Sequence, residues 1–235
     1  MLQHSRMPAD HLIEQLTLQR QYTLDYLLRL TPAQWIGEKS TYLNPPLWEW
    51  LHIIWFQEYW LLRCDALGQP NGRDSRLAHA NTYFDSSKNA HAQRWQTPLP
   101  SISHSMAYAD AVFNEVKEAI YNHKHSAYFA ELSLYHEAMH EENFMRRAQY
   151  LAQAFRATSV MPLAAPQMLH LATQRVTLAP NNDGKFQFDN EKGECIKPIT
   201  SIAMLNTPVA ETEFLAFIDD GGYQQREFWS DEGWQ

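Results

Sequence analysis

Cysteine, basic charge and long apolar runs are all scarce in this 235-residue chain. Its two cysteines, Cys64 and Cys195, do not form a C-x-x-C pair. That usage argues against a disulfide framework or a cysteine-based zinc site and suits a reducing compartment. No apolar stretch approaches the ~18 residues of a transmembrane helix. Met1 to Asp10 is polar, so we expect no signal peptide and a cytoplasmic protein without a membrane partner.

The charge balance is acidic, with a formal net charge of −8 and a pI near 5.7. A protein that binds nucleic acid needs a basic surface to neutralise phosphates. We therefore expect no nucleic-acid partner, and substrates that are small molecules.

What the chain has in abundance is helix-forming and aromatic sequence, with 45% hydrophobic residues and eight tryptophans. Apolar residues recur at spacings of three and four, which indicates amphipathic helices. Four helices are predicted: His11 to Leu30, Leu47 to Arg63, Ser101 or Ser103 to His123, and Ser126 to Phe155. The second is apolar almost all round and is expected at the centre of a bundle. With one long polar connection after the second helix, this pattern is typical of a four-helix bundle, and the fold class is mainly α.

The pattern changes after Ala157. A linker is predicted over residues 158–170, followed by period-two segments at Gln174 to Leu178, Lys185 to Phe188 and Ile196 to Ile202. Asn182-Asp183-Gly184 is a hairpin-type turn signal, and a short helix is predicted from Val209 to Asp219. We expect residues 1–157 to form the bundle and residues 171–235 to form an incomplete α+β domain.

The fourth helix carries the sequence His136-Glu137-Ala138-Met139-His140-Glu141-Glu142. Residues i and i+4 lie on one helix face, so the two histidines can chelate one divalent metal. Glu137 and Glu142 flank the pair and are candidates to accept a hydrogen bond from a ligating imidazole. The alternatives are a solvated helix whose two histidines pair by chance, or a zinc protease with Glu137 as base, although no H-x-x-G-x-x-H extension follows. His52, in the apolar second helix, is by itself as compatible with a hydrogen-bonded core histidine as with a third ligand.

Several motifs together carry a family resemblance. In the first region they are Asn44-Pro45-Pro46-Leu47-Trp48, His52, Trp55-Phe56-Gln57-Glu58-Tyr59-Trp60, Arg63, His136-Glu137, His140 and Glu142. In the second they are Phe188-Asp189-Asn190-Glu191, Thr207-Pro208-Val209, Glu213-Phe214-Leu215-Ala216-Phe217, Asp220-Gly221-Gly222-Tyr223 and Trp229-Ser230-Asp231-Glu232-Gly233-Trp234. The first set resembles the DinB-like domain of the ergothioneine-biosynthesis sulfoxide synthases, including their selenoneine-synthase branch. The second set is similar to the start of their formylglycine-generating-enzyme (sulfatase-modifying-factor) domain.

This resemblance implies a mononuclear non-haem Fe(II) held by His52, His136 and His140. It also implies an O2-dependent reaction that joins the sulfur of cysteine or γ-glutamylcysteine, or the selenium of a selenosugar, to the hercynine imidazole. Arg94 is the candidate for gripping the carboxylate of the donor. Met139 stands where the sulfoxide synthases have glutamine, and a thioether cannot hydrogen-bond a substrate imidazole as an amide does.

The resemblance also implies that the catalytic tyrosine and the hercynine pocket lie further into the second domain than residue 235. We therefore expect these 235 residues to bind Fe(II) without coupling hercynine to a donor at a useful rate. Two other functions stay open: a DinB-like thiol S-transferase that uses the three histidines around zinc or nickel, and a catalytically silent metal-binding fragment that docks a partner.

Overall fold

A computed structural model describes residues 7–122, 124, 126–153, 165–180 and 185–235. The chain divides into two compact units. The first comprises Met1–Ala157 and Pro180–Lys192, and the second comprises Thr158–Ala179 and Gly193–Gln235. The sequence-based division differs from this grouping in two segments. Residues 180–192 belong with the first unit and not with the predicted second domain. The predicted linker, residues 158–170, is grouped with the second unit, whose first strand begins at Met168. Part of the predicted linker, residues 158–164, lies outside the described residues.

The helices of the first unit are α1 (Ala9–Leu27), α2 (Pro32–Ile36), α3 (Pro46–Leu62), α4 (Ala80–Tyr83), α5 (His91–Arg94), α6 (Ile102–Tyr121) and α7 (Ala127–Tyr150). The four long ones are α1, α3, α6 and α7, close to the four predicted spans. Helix α3 packs against α6 and α7, and α1 also packs against both. Within the described residues no helix has the length and apolarity that crossing a bilayer requires.

Helix α3 is the most apolar of the long helices and is buried almost all round. Its sequence lacks a polar face, so the chain must surround it with other elements to remove its tryptophans and isoleucines from water. Trp48, Trp50, Ile53 and Ile54 are 0–1% exposed. The few polar side chains buried along α3 are therefore held at fixed positions inside the packed unit.

Serine side chains cap the starts of two of the four long helices. Ser101 and Ser126 cap α6 and α7 by accepting hydrogen bonds from the backbone N–H groups of His104 and Phe129. Pro46 occupies the first turn of α3, where a missing N–H costs nothing. Helix α1 starts differently: no side chain caps it, and Asp10 lies inside its first turn.

Gly37 closes α2 in a conformation that favours glycine, with φ +72° and ψ 178°. A Cβ added there would lie 2.7 Å from Arg147 Nη2, so the guanidinium packs directly on the glycine. We expect Gly37→Ala to lower the free energy of unfolding by about 1–3 kcal/mol in urea titrations.

Gly72 is the matched control, since its φ is also positive (+81°) but no atom lies within 4 Å of an added Cβ. Gly72→Ala should cost about 1 kcal/mol, from backbone conformation alone. Equal losses in the two variants would show that the contact with Arg147 contributes nothing.

The second unit contains strands β1 (Met168–Leu171), β2 (Gln174–Leu178), β3 (Cys195–Ile199) and β4 (Ile202–Leu205), then α8 (Glu211–Asp219) and α9 (Asp231–Trp234). The pairs β1–β4 and β2–β3 are antiparallel. The predicted strand Ile196 to Ile202 is thus split into two, and the predicted last helix starts two residues later than expected. The turn signal at residues 182–184 lies outside the described residues.

The predicted strand Lys185 to Phe188 is wrong, because this segment is an irregular stretch that leads into a 3-10 turn at Asp189–Glu191. Phe186 lies 5.4 Å and 4.8 Å, between ring centroids, from Tyr128 and Tyr135 of α7. The alternating aromatic residues of this segment pack on helix α7. An alternating sequence pattern alone cannot distinguish such a tertiary contact from a β-strand.

Candidate metal centre

Three histidines from two adjacent helices meet at one point. His52 lies on α3, and His136 and His140 lie one turn apart on α7. Each offers one ring nitrogen, and these nitrogens all lie within 4.8 Å of one another. The closest pair is Nε2 of His52 and Nε2 of His136, 3.2 Å apart. Ligands bound about 2.0–2.2 Å from one ion are separated by about this distance, so the geometry fits a metal ion.

A backbone carbonyl orients His52. Its Nδ1 lies 2.6 Å from the carbonyl oxygen of Phe84, which can only accept a hydrogen bond, so Nδ1 carries the proton. The lone pair on Nε2 is then directed at the other two histidines. Trp48 stacks on the imidazole at 5.2 Å with an interplanar angle of 6°, which fixes the ring plane.

A carboxylate orients His140. Its Nδ1 lies 2.6 Å from Oε1 of Glu49, one turn before His52 on α3. Asn143 Nδ2 donates to the same oxygen at 3.1 Å. The proton on Nδ1 leaves the Nε2 lone pair of His140 free for a ligand.

His136 is held by stacking instead. The centroid of its ring lies 3.8 Å from the centroid of the Phe56 ring, with an interplanar angle of 11°. Its buried Nδ1 has no hydrogen-bond partner among the described residues. The three imidazoles therefore share a site, and a different group orients each ring: a carbonyl for His52, a carboxylate for His140 and a phenyl ring for His136.

Burial keeps two of these imidazoles neutral. It lowers the pKa of His52 to about 4, and the nearby His140 acts in the same direction. Burial also lowers the pKa of His136 well below its ordinary value, with help from His140 and His52. Metals bind neutral imidazole, so a site of this kind does not first have to lose protons near neutral pH.

The metal-free protein should lose stability as the pH falls from about 6.5 to about 4, the ordinary and folded pKa values of His52. In that window the unfolded chain holds a proton on this residue and the folded chain does not, so acid favours unfolding. The loss from His52 alone should be roughly 3 kcal/mol.

Urea titrations at several pH values measure this loss. The control is His52→Gln, whose amide can donate to the Phe84 carbonyl but does not titrate, and its stability should depend less steeply on pH. Parallel pH profiles for the two proteins would contradict the assignment.

Glu137 does not contact the histidines through any hydrogen bond in the described part of the chain. Its carboxylate is completely buried and accepts from Arg20 at 2.8 Å and 3.1 Å, and from Gln57 Nε2 at 3.2 Å. Glu142 is exposed on the surface of α7. The carboxylate that the sequence predicts behind an imidazole is supplied by Glu49, and Glu137 joins α7 to α1 and α3 in a buried ion pair.

Arg94 and Met139, the two candidates for substrate contact, lie in different surroundings. Arg94 is half-buried, with its guanidinium carbon 4.3 Å from the Trp48 ring centroid, on the tryptophan that stacks on His52. Its Nη1 donates to Asn44 Oδ1 at 3.0 Å. Met139 is 45% exposed on α7 beside His140.

Glu49 and Phe84 are the neighbours of the site that sequence reasoning missed. Glu49 carried a usable signal, since it is an acidic residue within an almost wholly apolar helix, three positions before His52. The Phe84 contact left no sequence signal, because the group involved is a backbone carbonyl.

The helices that carry the site match a family model described as the DinB superfamily, over residues 15–144. The chain is also similar to three proteins named hercynine oxygenase. It is 27% identical over 203 residues to the one from Mycolicibacterium thermoresistibile, covering 82% of this chain and 44% of that protein. It is 26% identical over 202 residues to that of Mycobacterium tuberculosis, covering 82% and 47% respectively. It is 26% identical over 238 residues to that of Mycolicibacterium smegmatis, covering 96% and 54%.

The chain thus spans about half the length of the curated relatives it matches. The family match covers more than half of the 235 residues and includes all three histidines. This chain therefore belongs to the DinB superfamily.

Proposed function

We propose that this chain carries the Fe(II) site of an O2-dependent oxygenase that joins the sulfur of a thiol, or the selenium of a selenosugar, to hercynine. The observation that carries the proposal is the convergence of His52, His136 and His140 on one point. The names of the similar proteins support hercynine as the co-substrate. The proposed fold is a DinB-like four-helix bundle for the first unit and the start of a formylglycine-generating-enzyme-like domain for the second.

Three imidazoles on one side of an ion leave coordination positions open for other ligands. Imidazole suits iron as well as zinc, copper and nickel, so the choice of Fe(II) rests on the family resemblance. Bound Fe(II) would supply redox chemistry with O2 and a position for a thiolate or selenolate. The residues of the chain supply the rest: the Phe84 carbonyl and the Glu49 carboxylate fix the tautomers of His52 and His140, and burial favours the neutral forms of His52 and His136.

Arg94 is the proposed contact for the carboxylate of the donor. Two of its nitrogens, Nε and Nη1, are occupied by Asn89 and Asn44. Its Nη2 forms no hydrogen bond among the described residues and can donate to a carboxylate. The stacking order Arg94, Trp48, His52 brings this cation to the side of the metal centre.

Met139 is the proposed contact for the substrate imidazole. Its exposed thioether lies one residue before His140 and presents a polarizable apolar surface where an amide would present a hydrogen-bonding one. We infer that Met139 holds the substrate imidazole through van der Waals contact rather than through a hydrogen bond.

The first experiment measures metal binding and its response to a thiol. The protein is loaded anaerobically with Fe(II) in equilibrium dialysis, and a parallel sample with Co(II) is titrated with cysteine, γ-glutamylcysteine and hercynine. We expect one metal per chain and a new thiolate-to-cobalt absorption band with the thiol donors. A protein that binds neither metal more tightly than a variant without His52 would contradict the proposal.

The second experiment looks for chemistry. Iron-loaded protein is mixed with hercynine and each donor, air is admitted, and mass spectrometry searches for the coupled product. The expected yield is small, and any product should require iron and His52. A metal site that neither responds to thiols nor yields product would favour a metal-binding fragment that docks a partner. Transfer of a thiol to an electrophile without O2 would favour an S-transferase.

A further inference from the structure

Glu49 is a buried acid that forms no salt bridge with a lysine or arginine within the described residues, although the charge of Arg94 lies close enough to interact with it. It is 3% exposed, and Trp48 and Trp50 on either side of it are buried as well. Within the described residues its hydrogen bonds come from His140 Nδ1, Asn143 Nδ2 and, at 3.5 Å, Asn44 Nδ2. Burying a carboxylate costs several kcal/mol unless an opposite charge compensates it. The chain accepts that cost beside a cluster of histidines.

Glu137 and Glu58 are two of the other buried glutamates, and both are satisfied by groups outside the metal centre. Glu137 is paired with Arg20, and Glu58 accepts from Ser75, Tyr108 and the backbone N–H of Arg76. Neither forms a hydrogen bond with a histidine within the described residues. Glu49 differs because its shortest contact is with an imidazole of the candidate metal centre.

The three histidines also differ in the hydrogen-bond partner of Nδ1. His52 has a neutral carbonyl, His140 has a carboxylate, and His136 has no partner in the described part of the chain. A carboxylate behind an imidazole fixes its tautomer and raises its basicity as a ligand. His140 should therefore be the strongest donor of the three.

We infer that Glu49 is the positioning residue of this centre, acting through His140 and supplying one buried negative charge to the bound metal. This inference rests on the proposed metal binding. Imidazole binds a metal in its neutral form and contributes no charge, so a divalent ion beside Glu49 leaves a net charge of about +1 in the site. One monoanionic ligand, such as a thiolate or selenolate, brings that charge to zero. The cation of Arg94 is left for the carboxylate of the same donor.

Glu49→Gln is the informative variant, since an amide oxygen can still accept from His140 Nδ1 but carries no charge. We expect Fe(II) affinity, measured by anaerobic equilibrium dialysis, to fall roughly 10- to 100-fold. The midpoint potential of the iron should rise, because the more highly charged Fe(III) form loses more from the missing carboxylate. Glu58→Gln is the matched control on the same helix, and it should change stability without changing either metal property.

Asn143→Ala provides a test if Glu49→Gln does not fold. It removes a donor that disperses the charge of Glu49, so the midpoint potential should shift downwards, opposite to the shift in Glu49→Gln. If the unaltered protein binds Fe(II) but Glu49→Gln and Asn143→Ala match it in affinity and potential, the inference is overturned and the proposed function stands. If the unaltered protein does not bind Fe(II), the proposed function fails as well.

Discussion

Replacing His52 with alanine should weaken Fe(II) binding by roughly two orders of magnitude or more. Binding free energies of about 10–16 kcal/mol for four-ligand metal sites correspond to a few kcal/mol for each ligand. His52 Nε2 lies 3.2 Å from His136 Nε2, so its loss opens one side of the centre. The remaining pair on α7 is a two-ligand chelate that water can compete with. Equilibrium dialysis under anaerobic conditions measures the change directly.

His104→Ala is the control for this experiment, because His104 is exposed on α6. That variant should bind Fe(II) like the unaltered protein. Circular dichroism should show that both variants keep their helices, since His52→Ala also leaves the Phe84 carbonyl without its donor. A folded His52→Ala protein with unchanged affinity would remove His52 from the metal centre.

Replacing Glu137 with glutamine should lower the free energy of unfolding by about 3–5 kcal/mol while leaving Fe(II) affinity close to that of the unaltered protein. The change removes the charge that compensates Arg20, a guanidinium that is 6% exposed, and an unpaired buried charge is strongly destabilising. The side chains of Trp50 and Phe113 flank that guanidinium at 5.0 Å and 4.8 Å and offer only partial compensation. Urea titration and equilibrium dialysis give the two numbers.

Two further variants separate the roles of these carboxylates. Glu142→Gln changes an exposed acid on the same helix and should leave both stability and affinity within about 0.5 kcal/mol. The double variant Arg20→Met with Glu137→Leu removes both charges and should recover much of the lost stability, since apolar replacement of a buried pair is often neutral. If Glu137→Gln instead lost iron at full stability, the acid would belong to the metal centre after all.

The part of the site that sequence makes visible is the part that is local. His136 and His140 are one helical turn apart, so their spacing alone predicts a shared face. His52 was ambiguous as a single residue, and the resemblance to the sulfoxide synthases nominated it. The pairing of His140 with Glu49 joins residues 91 positions apart, and no local pattern encodes it. Proximity in sequence therefore nominates Glu137 and Glu142 instead.

The long helices were predicted well because α1, α6 and α7 each bury a stripe with a period near 3.6, and α3 is a long, almost wholly apolar run that begins at a proline. Their ends were harder: α1 ends at Leu27, where apolar residues continue to Leu30. The strand Gln174–Leu178 was predicted with the bounds that the structure has, yet its partner is Cys195–Ile199 rather than the nearer Lys185 to Phe188. Strand pairing depends on which segments reach each other in space. A short segment with alternating aromatic residues can pack against a helix instead of pairing with a strand.

The aromatic segment around Phe186 and Phe188 has a practical meaning for dissecting this protein. A shortened protein cut at residue 157 would keep all three histidines but lose the rings that cover Tyr128 and Tyr135. Tyr135 directly precedes His136, so the newly bared surface would adjoin the metal-binding turn of α7. Such an exposed aromatic patch promotes self-association. The smallest unit worth expressing on its own therefore extends past Lys192 and, because β1 and β2 pair with β4 and β3, at least to Leu205.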